Sequence, residues 1–93
     1  MSPFVTDKHG YLEPVHCNQK SFYKRALVMH NGDVYTLRSY FTTVAVFNSA
    51  TRELTTNGWY SMTTGRHIKE FAYQCGFHVG GKAQLDNGVR VWK

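Results

Sequence analysis

The sequence predicts an α+β fold: an antiparallel β-meander of three to five strands packed against one α-helix at about residues 64–75. Three observations predict it. Short β-rich runs follow one another between Arg25 and Thr56, separated by turn-forming residues. Two of the three Asn-Gly pairs, Asn31-Gly32 and Asn57-Gly58, punctuate those runs, and Asn-Gly is the strongest local signal for a tight hairpin. After Tyr60 the apolar period changes from 2 to 3.6.

The elements follow in chain order. Ninety-three residues make one domain over 1–93, because a chain of this length has room for a single core. Pro3, Gly10 and Pro14 interrupt any regular pattern near the start, which predicts a loosely ordered N-terminal arm over 1–18. The meander and helix occupy 19–76. RALVMH is the first apolar run, Asn31-Gly32 turns it, VYTLRSY alternates, and TTVAVFN is rich in β-branched residues. SATRE leads into ELTT, and Asn57-Gly58 leads to Trp59 and Tyr60. Ile68, Phe71, Ala72 and Cys75 then recur at i, i+3, i+4 and i+7, one face of a helix, while Arg66, Lys69, Glu70 and Gln74 fall away from it. Gly76 is placed to stop that helix at C′. Beyond Gly80-Gly81, the pair Asn87-Gly88 predicts a C-terminal hairpin or a last strand over 80–93.

Composition narrows the function. Eleven Lys and Arg against six Asp and Glu give a formal charge of +5, which favours polyanionic partners and argues against an acidic imitation of DNA. No basic-then-apolar signal opens the sequence and no apolar run reaches membrane-spanning length, so a cytoplasmic protein without membrane partners is expected. The two cysteines, Cys17 and Cys75, are far apart, and a disulfide between them is disfavoured in a reducing compartment. His16-Cys17 with Cys75 and His78 offers four zinc-type ligands, but the adjacent pair is an awkward half-site. Neither a metal nor a cofactor is therefore expected.

The densest chemistry lies in NGWYSMTTGRHIKEF, residues 57–71, and it admits three accounts. Ser61, Thr63 or Thr64 serves as an N-cap for the helix, with Gly65 letting the helix start approach the sheet. Alternatively the helix N-terminus, these hydroxyls, Arg66, His67 and Lys69 hold a phosphate. The third account is catalysis with His67 as a base for Ser61, Tyr60 or a water. A second cluster, NQKSFYKRA, interleaves Lys20, Lys24 and Arg25 with Phe22 and Tyr23, a pairing of cations and rings suited to single-stranded nucleic acid. The nominated nucleic-acid or phosphate contacts are Lys20, Tyr23, Lys24, Arg25, Ser61, Thr63, Thr64, Arg66, His67 and Lys69.

Lys20-Ser21-Phe22-Tyr23, then Ser39-Tyr40 with Thr42, Val44 and Ala45, then Gly58 through Phe71 resemble a small domain of unknown function from bacteriophage and prophage proteins of Gram-positive hosts. Trp59 stands in place of the family's more usual tyrosine, and Lys24 where a small residue is expected. The resemblance implies a phage setting, and with it host takeover or anti-defence, inhibition of CRISPR effectors included. It carries no catalytic assignment. The expected function is non-enzymatic binding of a nucleic acid or a host protein–nucleic-acid complex. The alternatives are a small hydrolase or nuclease using His67, and an interaction module that pairs through strand edges with a second copy or a host protein.

Overall fold

A computed structural model describes residues 3–13, 15, 25–58, 60–79, 85 and 88–93. Among them the chain forms five strands and one α-helix: β1 (Ala26–Asn31), β2 (Val34–Ser39), β3 (Thr42–Asn48), β4 (Glu53–Thr56), α1 (Met62–Gln74) and β5 (Arg90–Trp92). The sheet order is β1-β2-β3-β4-β5, and every neighbouring pair is antiparallel. The fold is therefore α+β, one sheet covered by one helix.

Alternation decides which face meets the helix. Tyr35, Leu37 and Ser39 of β2 are buried, as are Ala45 and Phe47 of β3 and Leu54 and Thr56 of β4. These residues are cross-strand partners, Leu37 with Ala45, Phe47 with Leu54, and Ala45 with Thr56. Ile68, Phe71 and Ala72 of α1, with its C-cap Cys75, bury against that face, as the 3.6 period requires.

Turn chemistry sets the register. In the β1–β2 hairpin Asn31 pairs with Val34, so the loop residues are Gly32-Asp33 rather than Asn31-Gly32. Gly32 takes φ +61°, which suits glycine at the first loop position. Asn57-Gly58 does not make a hairpin; Asn57 instead bonds back to β3, its N–H to the Val44 carbonyl (3.0 Å) and its side chain to the Thr43 carbonyl (3.1 Å). The helix begins at Ser61, whose Oγ accepts the Thr64 N–H at 3.2 Å. It ends as predicted: Gly76 has φ +93°, its N–H reaches the Tyr73 carbonyl and the Phe77 N–H reaches the Ala72 carbonyl, the two bonds of a Schellman motif.

The start of the chain is held more firmly than its lack of period suggests. Phe4 stacks on Phe71 with ring centroids 4.2 Å apart, and Leu12 is buried in the same core. Gln74 ties the segment down: its Oε1 accepts the Val5 N–H, and its Nε2 donates to the Glu13 carbonyl and to Glu70. Glu70 and Gln74 thus do not face solvent as the apolar stripe implied; Glu70 is buried because the arm lies over that side of α1. The arm also occupies part of the β1 edge, where Leu12 donates to Ala26 and Val28 to Gly10.

Candidate nucleic-acid interface

The nominated residues do not form one surface. Ser61 is the N-cap, Thr63 is half-buried beside it, and Arg66 and Lys69 are half-buried on the outer side of α1. They share the stripe i, i+4, i+7, i+11 with Met62 and Tyr73, opposite the sheet-facing residues. Lys20, Tyr23 and Lys24 lie outside the described residues. Thr64 and His67 face inward and cannot meet a phosphate where they sit. The reason is a hydroxyl 28 positions upstream of His67: Ser39 Oγ lies 2.8 Å from His67 Nδ1 and 3.0 Å from Thr64 Oγ1. The three side chains form a buried polar bridge from the end of β2 to the first turns of α1.

That bridge joins a hydroxyl to an imidazole, the pairing a nucleophile needs. Ser39 is only 2% exposed and His67 0%, so a substrate has no approach to either in this conformation. Catalysis with Ser61 or Tyr60 also lacks support, because the His67 ring sits beside Tyr40 at 6.2 Å and its Nδ1 is turned to Ser39.

What the bridge does hold is the β2–β3 hairpin tip. Ser39 pairs with Thr42, leaving the two-residue loop Tyr40-Phe41. Tyr40 has φ +56°, in the left-handed region where a Cβ costs about 1–2 kcal/mol and where glycine or asparagine is usual. Phe41 is 87% exposed, the most exposed of the large hydrophobic side chains described. A β-bulge adjoins the tip: Leu37 pairs with Ala45 but Arg38 with Thr43, so Val44 is an extra residue in β3. Strain, an adjacent bulge and an exposed ring at one turn cost the fold stability. Such features collect at functional sites.

Two arginines complete the tip. The Arg38 guanidinium lies 5.9 Å from the Phe41 ring centroid, and that of Arg25 lies 5.5 Å from the Tyr40 ring, both within cation–π range. With Tyr11 and Leu27 these four side chains line a cleft of ≈ 320 Å³. Leu27 and Arg38 are cross-strand partners, and alternation places them on the face away from α1, because Ala26, Leu37 and Ser39 are buried beneath the helix. Arg38 therefore lies on the sheet face opposite the one that carries α1 with Arg66 and Lys69. Arg25 is the one nominated residue described at the tip. Sequence reasoning missed Arg38, Tyr40 and Phe41, although Arg-Ser-Tyr-Phe between two β-rich runs, with neither glycine nor asparagine, was the signal of a turn kept for its side chains.

Metal ligands do not converge among the described residues. Cys75 is buried, its Sγ donates to the Ala72 carbonyl, and burial pushes its thiol up to about 12 against a smaller opposing pull from Arg52. His78 packs edge-on to Tyr73 at 4.9 Å, and His16 and Cys17 lie outside the described residues. No described helix is long and apolar enough to cross a membrane.

Fold and site together define a small α+β domain, one helix on a five-stranded antiparallel sheet, that presents an arginine–aromatic hairpin tip. A family model matches residues 11–87, and the chain belongs to that family, a family of unknown function (DUF8033). The match spans the hairpin tip, the polar bridge and α1, and leaves out Phe4 and β5. No curated protein and no solved structure matches the chain.

Proposed function

We propose that the protein acts by binding rather than by catalysis, and that its target is nucleic acid, naked or within a host protein–nucleic-acid complex. The observation that carries this reading is the Tyr40-Phe41 tip flanked by Arg25 and Arg38. Guanidinium groups meet phosphates and rings meet bases, and both stand together on a chain with a formal charge of +5. The phage setting implied by the sequence resemblance gives such a binder a use in the host cytoplasm as a host-takeover or anti-defence factor. Inhibition of a CRISPR effector is its most concrete form.

The test is a fluorescence-anisotropy titration against single-stranded RNA, single-stranded DNA and duplex DNA across a salt series. Binding is expected to weaken steeply with salt, by a slope of about 0.7–0.9 for each phosphate neutralised. Absence of binding to all three at low salt would overturn the reading.

The 2.8 Å contact between Ser39 and His67 favours a second reading, a small hydrolase or nuclease. It requires the helix to lift from the β2 end so that a substrate reaches Ser39. Turnover of ester or nucleic-acid substrates that vanishes in His67→Ala while the native circular dichroism spectrum is kept would support it, and absence of turnover in the native protein ends it.

A further inference from the structure

We infer that the hairpin tip is a seat for one unpaired nucleobase, so that the protein selects single strands over duplexes. This rests on the nucleic-acid reading above and narrows it. Two features of the tip point to an unpaired base. Arg38 lies over the Phe41 ring, yet the ring remains 87% exposed, so most of its surface is open for stacking. A base inside a duplex has both faces covered by its neighbours and cannot use such a ring, whereas an unpaired base stacks on it readily. The cleft, at ≈ 320 Å³, stands at the small end of ligand pockets and suits one planar ring system.

The lining sorts by chemistry in the same sense. Leu27 and the aromatic rings give apolar surface for a base, and Arg25 and Arg38 give two cations for the phosphates on either side of it. None of the described residues lining the cleft is acidic, and two are cationic. The backbone strain at Tyr40 fits this use, since a glycine first in the two-residue turn would close the hairpin without strain but remove the Tyr40 ring from the cleft wall.

The experiment compares a fluorescein-labelled mixed-sequence DNA 12-mer, the same strand with abasic sites through its centre, and the corresponding duplex. Native protein is expected to bind the intact strand at least tenfold more tightly than the abasic strand or the duplex. Phe41→Ala should weaken the intact strand by about 5- to 150-fold, the range of one base–aromatic stack, while its salt slope stays unchanged. Phe41→Trp should restore binding and show fluorescence quenching by the strand but not by its abasic form. Because Phe41 is so exposed, both variants should keep the native circular dichroism spectrum. Equal affinity of Phe41→Ala and native protein for the intact strand overturns the base seat and leaves the nucleic-acid reading standing. Failure of native protein to bind any of the three, or the corresponding single-stranded RNA, at low salt overturns both. A free nucleoside monophosphate that displaces the strand at equal concentration would identify a mononucleotide as the occupant, and so overturn selection of strands.

Discussion

Ser39→Ala removes a single oxygen, and the structure gives that oxygen two buried partners, Thr64 Oγ1 at 3.0 Å and His67 Nδ1 at 2.8 Å. Withdrawing a hydrogen bond from a buried polar atom costs about 1–3 kcal/mol for each atom left behind. Thr64 can turn its hydroxyl to a helix carbonyl one turn back and recover part of its share. The expected loss is therefore about 3 kcal/mol, most of it on the imidazole side. In a domain of this size that corresponds to a fall in Tm of roughly 12–24 °C. Urea unfolding followed by circular dichroism measures it, with the slope m serving as the check that unfolding remains two-state. A double-mutant cycle with Thr64→Val should give a coupling above about 0.5 kcal/mol, because the two hydroxyls share one bond. A loss below about 1 kcal/mol at unchanged m would refute the reasoning, since Ser39 would then not be holding α1 to β2. A turnover that disappears while stability stays intact would instead favour the hydrolase.

Four further outcomes are expected. Tyr40→Gly relieves about 1–2 kcal/mol of backbone strain but loses a cation–π contact of about 0.5–1 kcal/mol and adds chain entropy of about 0.4–1 kcal/mol. Its stability should stay within about 1 kcal/mol of native while strand affinity falls; a loss above about 2 kcal/mol in urea would mean that the ring serves the fold. Gln74→Ala releases Val5 and Glu13, so proteolysis should cut within 3–13 at concentrations that spare the native protein. Cys75 should resist iodoacetamide at pH 8 in the folded protein and react after urea, as read by peptide mass spectrometry. Because the folded thiol is raised from 9.0 to about 12, its contribution to stability is complete below about pH 9 and is lost as pH rises toward 12. Arg66→Ala with Lys69→Ala should leave the melting temperature unchanged and lower the salt slope by about 1.4–1.8 if the helix contacts phosphate; an unchanged affinity removes α1 from the interface.

Local patterns revealed local structure. The stripe of Ile68, Phe71, Ala72 and Cys75 is buried as its spacing implies, and Gly76 ends the helix where a left-handed residue is needed. What the sequence hid depends on contacts between distant positions. His67 and Thr64 look like surface residues of a helix start until Ser39 is placed beneath them. Glu70 and Gln74 look solvated until the arm folds over them. The tip was missed for a different reason: turn signals are those of residues that ease a turn, and Tyr40-Phe41 makes one at a cost. Of the candidate site, only Arg25 was legible as a cation beside aromatic residues.

The order β1-β2-β3-β4, in which neighbours in space are neighbours in the chain, also bears on how the molecule forms and breathes. Short loop closures are entropically cheap, so the four-strand meander can assemble early. Phe4 on Phe71 and β5 on β4 close much longer loops and join later. Transient opening should then begin at the two ends, with amides of the β2–β3 hairpin among the last to exchange. A strained turn placed there lies within the portion of the chain that comes apart least often.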